Sequence, residues 1–306
     1  MTAQDFQAEL IAAIDDAAVA RYRSNYNLGP EIGRDHVVRH VQLEGALTRQ
    51  LLESSPQDRW SVFENAYDTL YKELGWLNQA EDPEDDEVRF AAWRKLLPEP
   101  VRVFEIGSGK AELLKCLSRR GHRCVATEIT RERGAVHARD AEGLEWRTTD
   151  GVHLDQFEPI GAYDVVVSTQ VIEHLHPDDI VTHFASARSL LAPGGVYIFD
   201  TPHRGSGPHD LSRPLGLDRA VFMHLKEYDY AELAGRLRQA GYRSLQAVVS
   251  LRGRTFRSAL ALRVFAVIDS VMAGLRLSHG LERRIRRSWP FRLIGPRSNI
   301  WIVAAP

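Results

Sequence analysis

Cysteine is nearly absent from this 306-residue chain, which has two, Cys116 and Cys124. They flank an expected helix-to-strand turn and have no zinc-ligand spacing. No disulfide framework is expected, and a reducing, cytoplasmic location is. Net positive charge is also lacking: 39 basic against 41 acidic residues leave a formal charge of −2. That balance argues against a chain that wraps nucleic acid over its whole surface. No apolar run reaches the about 18 residues of a bilayer span. The opening MTAQDFQAEL has acids where a secretory leader would have a basic end and an apolar run, so no leader is expected. Internal repeats and long low-complexity segments are missing too. What is present is ordinary for a soluble globular protein, 44% hydrophobic and 26% charged residues. The length allows two domains, or one α/β domain with an added cap.

Residues 1 to 98 read as a helical cap. QDFQAELIAAIDDAAVARYR places Phe6, Leu10 and Ile14 at helical spacing, which predicts one helix there. Further helices are expected at about 34–53, 57–78 and 87–97. From residue 99 the rhythm changes. VRVFEIG, HRCVATEI, LEWRTTDG, YDVVVSTQ and VYIFDTP read as strands separated by helical runs, and SLQAVVSL and NIWIVAA as the last two. Strands alternating with helices predict a doubly wound, mostly parallel sheet of seven strands with helices on both faces. Apolar strands such as DVVVS fit burial on both faces. An insertion at about 252–297 carries an apolar helix, ALALRVFAVIDSVMAGLRL, and then ERRIRRSWPFR. Between Leu251 and Ile300 stand eleven arginines and two acids, Asp269 and Glu282. Basic residues beside Trp289 and Phe291 fit an anionic membrane surface or a phosphorylated partner; they also fit a helical hairpin whose arginines face water.

VFEIGSGKAEL, Val103 to Leu113, carries the first chemical signal. A strand ending at Ile106 delivers Gly107, Ser108 and Gly109 to the carboxyl edge of the sheet, where open α/β sheets bind ligands. Glycine permits a sharp turn and a close ligand. A dinucleotide fingerprint needs a third glycine, and here Glu112 stands in its place. The P-loop spacing fails as well. Glu105, two residues before the first glycine, suits a ligand carrying an ammonium or sulfonium better than a pyrophosphate. A second acid, Glu128, ends the next strand about 20 residues on, where a carboxylate accepts ribose hydroxyls; Ile129 follows it. A third, Asp150, with the Gly151 N–H beside it, stands after the third strand, placed for an adenine amino group.

In order and spacing, VFEIGSGKAELLKCL, ATEIT, TTDG, YDVVVSTQVIEHLHPDD and SLLAPGGVYIFDTPHR resemble the class I S-adenosylmethionine-dependent methyltransferases, over about residues 101–245. The nearest subgroup looks like the ubiquinone-biosynthesis and natural-product O-methyltransferases. The resemblance implies a Rossmann-like fold and S-adenosyl-L-methionine as cofactor, with S-adenosyl-L-homocysteine as product. It implies that Glu105 and the Gly107–Gly109 turn face the methionine end, Glu128 the ribose, Asp150 and Gly151 the adenine, that Ile129 also belongs to the cofactor site, and that Gln170 lies beside the methionine and the acceptor. One departure is Ala111, where the family often has glycine. A methyl group is expected to be tolerated there if the backbone stays helical.

The implied reaction is methyl transfer to a small-molecule acceptor, a hydroxyl of a sugar, natural product or lipid-linked glycan. His174 is the first candidate for a base, because imidazole titrates near neutral pH; His176, His203 and His224 are weaker ones. A metal-assisted RNA 2′-O-methyltransferase stays open as an alternative, since such enzymes use an E-x-x-E-H run and a distant histidine, and this chain has Gln170, Glu173 and His174, and later His224. An amide in the first position is a poor ligand for a hard cation, so no metal is expected. A non-catalytic methyltransferase-like subunit and a nicotinamide-dependent oxidoreductase are further alternatives. Nucleic acid is not an expected partner. Peripheral membrane contact through the basic insertion is an open one.

Overall fold

The computed structural model describes residues 3–78, 86–97, 99–130, 142–251, 254–275, 277–286, 288 and 299–306. The expected polar stretch after the second strand falls partly, at 131–141, outside the described residues, as do Trp289 and Phe291. The chain divides into two compact units: Met1–Pro83 with Gly207–Glu227, and Glu84–Ser206 with Tyr228–Pro306.

The larger unit is built on one sheet of eight strands. They are β1 (Arg102–Ile106), β2 (Arg123–Glu128), β3 (Leu144–Thr148), β4 (Tyr163–Thr169), β5 (Leu191–Pro202), β6 (Ser244–Leu251), β7 (Arg254–Ser258) and β8 (Asn299–Ala305), in the order β3-β2-β1-β4-β5-β8-β6-β7. β3, β2, β1, β4 and β5 pair in parallel. β8 runs antiparallel to both β5 and β6, and β7 antiparallel to β6. The doubly wound, mostly parallel α/β sheet is as expected, with eight strands instead of seven. The added strand is β7, whose RTFRS has two arginines in five residues and none of the alternation that marks a half-buried strand.

The central strands are apolar because successive residues enter different cores. Phe104, Val166 and Phe199 pack with Phe184 and Leu233 on one face, whereas Val103, Val165, Val167 and Ile198 pack with Leu113, Leu117 and Trp93 on the other. The period of two therefore hides in a continuous hydrophobic run. Strand order reverses between β1 and β4, whose crevice is the topological switch point.

The smaller unit is helical. The single helix expected over 4–23 is two, Ala3–Ala12 and Asp16–Tyr26, because Asp15 stops one and caps the next: its side chain accepts from the Ala18 N–H at 2.8 Å. Arg34–Glu53 and Arg59–Glu73 follow. Ile14, Val19, Tyr22, Val37 and Val41 form the core of this unit, joined by Leu211 and Phe222 from the 207–227 segment. A buried hydrogen-bond chain crosses it. Trp76 Nε1 donates to the Tyr22 hydroxyl at 3.2 Å, which donates to His40 Nδ1 at 2.8 Å, and His40 Nε2 reaches Glu44 Oε1 at 2.8 Å.

Candidate functional site

The glycine turn after β1 is laced to the end of β2. Ser108 N–H donates to the Thr127 carbonyl at 2.8 Å, Thr127 N–H to Ser108 Oγ at 3.0 Å, and Thr127 Oγ1 to the Glu105 carbonyl at 2.8 Å. Gly107 and Gly109 take positive φ angles of 65° and 55°. Gly107 is required twice over, since a Cβ there would lie 2.7 Å from Val171 Cγ2, in the loop after β4. A Cβ on Gly109 would meet nothing within 4 Å among the described residues, none of which fills the space in front of the turn.

Ala111 corrects one expectation. Its backbone is not helical but left-handed, with φ 55° and ψ 30°, at the N-cap of the helix Glu112–Ser118. Its N–H donates to the Ser108 carbonyl at 2.8 Å, which closes the turn, and its side chain is fully buried. The turn sets this geometry, and alanine occupies it at a cost of roughly 1–2 kcal/mol.

Three acids stand at or near the carboxyl ends of β1, β2 and β5. Glu105 is buried, and its Oε2 has no hydrogen-bond partner among the described residues. Burial, helped by the charges of Glu128 and Asp200, pushes its carboxyl up to about 8 against a hydrogen bond from Ser108. Glu128 accepts from the Gly109 N–H at 2.7 Å and from the Ile129 N–H at 3.1 Å, so it shapes the glycine turn it faces. Asp200, near the end of β5, is the acid that sequence reasoning missed. It accepts from Gln170 Nε2 at 2.7 Å and Asn299 Nδ2 at 3.3 Å, while its buried Oδ1 has no partner among the described residues. Burial pushes its carboxyl up to about 6. Gln170 stands at φ 52°, and its N–H donates to the Asp200 carbonyl at 3.0 Å, so both ends of this residue are tied to β5.

Asp150 closes its own turn. Oδ1 accepts from the Val152 and His153 N–H groups, both at 2.8 Å, and Oδ2 lies 2.7 Å from His153 Nδ1. Gly151, at φ 71°, is held from behind by a second residue that the sequence did not announce. His183 Nδ1 donates to the Gly151 carbonyl at 2.6 Å, and its Nε2 accepts from Tyr197 Oη at 2.9 Å. Burial brings His183 down to about 4, which keeps it neutral in this bridging tautomer.

The candidate bases differ in their surroundings. His174 is half-buried shortly after β4, with its N–H on the Val171 carbonyl at 2.9 Å. His176 is buried and accepts from the Asp178 N–H at 3.2 Å. His203 is locked in place: Nδ1 accepts from the Gly205 N–H at 2.9 Å, and Nε2 donates to the buried Asp269 at 3.1 Å. His224 belongs to the helical unit, where it pairs with Glu227 at 2.9 Å. Glu173 is buried and accepts from Thr201 Oγ1 at 2.9 Å.

A family model described as a methyltransferase domain matches residues 76–247. Among solved structures, the chain is similar to 1,6-didemethyltoxoflavin-N1-methyltransferase of Burkholderia thailandensis, at 19% identity over 63% of this chain and 83% of that one, TM-score 0.48. It is similar to an S-adenosylmethionine-dependent methyltransferase of Mesorhizobium loti, at 15% identity over 72% and 98%, TM-score 0.46. A phosphoethanolamine N-methyltransferase of Haemonchus contortus, solved with S-adenosyl-L-methionine, matches at 15% identity over 72% and 52%, TM-score 0.45. No curated protein matches the chain.

Proposed function

The chain belongs to the methyltransferase-domain family, of the class I S-adenosylmethionine-dependent type, and from that premise we propose that it moves the donor's methyl group to a hydroxyl of a small-molecule acceptor, a sugar, natural product or lipid-linked glycan. The observation that carries the reading is the acidic, under-satisfied end of the sheet. Among the described residues, Glu105 keeps a buried oxygen without a partner beside a turn with open space in front of it. A donor with an ammonium and a sulfonium fits that set of groups: it supplies the missing hydrogen bond and opposite charge.

The bound donor supplies an electrophilic methyl on a cationic sulfur. The residues of the chain divide the remaining work. Glu105 and the Gly107–Ser108–Gly109 turn hold the methionine end, with Gln170 beside it. Glu128 and Ile129 hold the ribose, with the Glu128 carboxylate fixed by the Gly109 and Ile129 N–H groups. Asp150 and Gly151 hold the adenine, on a turn stiffened by His183. Most of the rate enhancement is alignment of acceptor and methyl group. His174 takes the hydroxyl proton as general base.

Titration calorimetry with S-adenosylhomocysteine and with NADH tests the cofactor. Binding of the first and not the second is expected, and the reverse would end the proposal. Mass spectrometry of acceptor screens tests the reaction: a mass gain of one methyl group on a hydroxyl supports it. Methylation confined to amines refutes the hydroxyl assignment, and cofactor binding without turnover on any acceptor favours a non-catalytic subunit.

A further inference from the structure

The helix Ala259–Gly274 is apolar on its solvent side as well as on its buried side. Leu262 and Met272 are buried, and Phe265 and Ala266 pack against the core. The outward face carries Leu260, Val264, Val267 and Val271, with exposures from 41% at Val264 to 72% at Leu260, and Leu275 follows just past the helix end. Steps of four, three, four and four residues put these five side chains in one stripe, since each residue turns the helix by about 100°. A surface helix ordinarily shows water a polar face. Here Arg263 and Ser270 are the exposed polar residues of the helix. Phe256 in β7 and Leu281 in the next helix, His279–Arg286, are exposed as well.

Charge decides what covers the stripe. Both acids of the 251–300 segment are turned inward. Asp269 is buried and accepts from Arg286 Nη2 at 2.8 Å and from His203 at 3.1 Å, and Glu282 accepts from Arg286 Nε at 2.9 Å. Arg254, Arg257, Arg263 and Arg284 are exposed, and no exposed acid accompanies them among the described residues of this segment. A second copy of the chain would bring the same positive rim against itself. An anionic surface neutralises it. No described helix is long and apolar enough to cross a membrane, so such a helix lies on a bilayer.

We propose that this face docks on an anionic lipid surface, with the helix Ala259–Gly274 in the plane of the interface. Leu260, Val264, Val267, Val271 and Leu275 enter the headgroup–acyl boundary, and Arg254, Arg263 and Arg284 meet the headgroups. The proposal is independent of the methyl-transfer reading and has its own readout.

The test is flotation of the full chain with phosphatidylglycerol–phosphatidylcholine vesicles and with phosphatidylcholine vesicles alone. Co-flotation with the anionic vesicles, reduced by high salt and weak without the anionic lipid, is expected. Val267→Glu together with Val271→Glu places two charges in the interface and should weaken partition by at least about tenfold, with the melting temperature and S-adenosylhomocysteine affinity unchanged. Arg263→Glu with Arg284→Glu should remove much of the salt-sensitive part. Absence of co-flotation with anionic vesicles overturns the proposal, and so does a Val267/Val271 variant that floats like the wild type. A concentration-dependent dimer that the same variant abolishes, without vesicle binding, gives the face to a second copy instead.

Discussion

Replacing Glu105 by glutamine separates what this carboxyl does for the fold from what it does for the ligand. In the free protein, burial raises the group from 4.5 to about 8. The folded chain therefore holds one more proton than the unfolded chain between those values. The contribution to stability is fully present below the unfolded value and is lost as pH rises through the folded one. At about 1.4 kcal/mol per pH unit, the window is worth roughly 5 kcal/mol. Glu105→Gln keeps the shape and removes the titration, so the ligand-free variant should lose less stability than the wild type between about pH 5 and pH 8. Binding moves the other way. A cationic donor end needs the carboxylate, so affinity should fall about tenfold per unit below pH 8, or about fiftyfold between pH 8 and pH 6. Near pH 7, binding should release close to one proton, and the variant should release little and bind weakly at every pH. Calorimetry with S-adenosylhomocysteine in buffers of different ionisation enthalpy reads both quantities. An affinity independent of pH, with no proton released, would refute the assignment of Glu105 to the cationic end.

Glu128→Ala should weaken S-adenosylhomocysteine binding by about a hundredfold, the loss of one charged hydrogen-bonding group at about 1.5–3 kcal/mol plus the slackened Gly109 turn; unchanged affinity removes the ribose assignment. Gly109→Ala puts a methyl group into open space at φ 55°, so a small drop in melting temperature and at least about tenfold weaker binding are expected. Gly194→Ala, also at positive φ with open space around it, should show the strain without the binding loss, and equal affinities in the two variants would defeat the argument. Asp269→Asn leaves the buried Arg286 without its full counter-charge and should cost about 3–5 kcal/mol in urea unfolding. Although burial alone would raise the Asp269 carboxyl, His203 and Arg286 hold it below its ordinary 3.8. Its stabilising effect is therefore present near neutral pH and lost in acid. A midpoint close to the wild type would show that Glu282 alone balances Arg286.

The parallel strands were readable because a strand covered on both faces must be apolar at every position, and DVVVS or VFEI is hard to place elsewhere. The acids Glu105 and Glu128 were readable because each interrupts such a run at its carboxyl end. Asp200 obeys the same rule at the end of VYIFD, and treating every strand-terminal acid as a candidate would have found it. His183 gave no such signal. It sits on a helix, and its partners, the Gly151 carbonyl and the Tyr197 hydroxyl, come from distant turns and strands. The left-handed backbone at Ala111 was hidden for a related reason, since residue type argued against it and the lacing of Ser108 to Thr127 imposed it. The split at Asp15 needed only the cap rule, applied inside an apparently continuous period. Likewise, nothing local in residues 207–227 reveals that Leu211 and Phe222 pack with helices near the N-terminus; that association is set by shape.

The choice between a pyrophosphate and a cationic nucleoside can be argued from magnitudes at the sheet end. A helix N-terminus favours an anion by about 0.3–1 kcal/mol, and that of Glu112–Ser118 follows the glycine turn. Against it stand Glu105, Glu128 and Asp200. At an effective dielectric of about 20, one negative charge about 6 Å from another costs roughly 3 kcal/mol. A single ionised carboxylate near the ligand therefore outweighs the helix end. The sheet end already strains under its own charge, since the Glu128 and Asp200 carboxylates both add to the upward push on Glu105. A pyrophosphate would raise that tension further, whereas a sulfonium and an ammonium relieve it. The absent third glycine matters less than the added acids for the same reason. Glycine spacing governs how closely a ligand can approach, and the carboxylates govern the sign of the charge that gains by approaching.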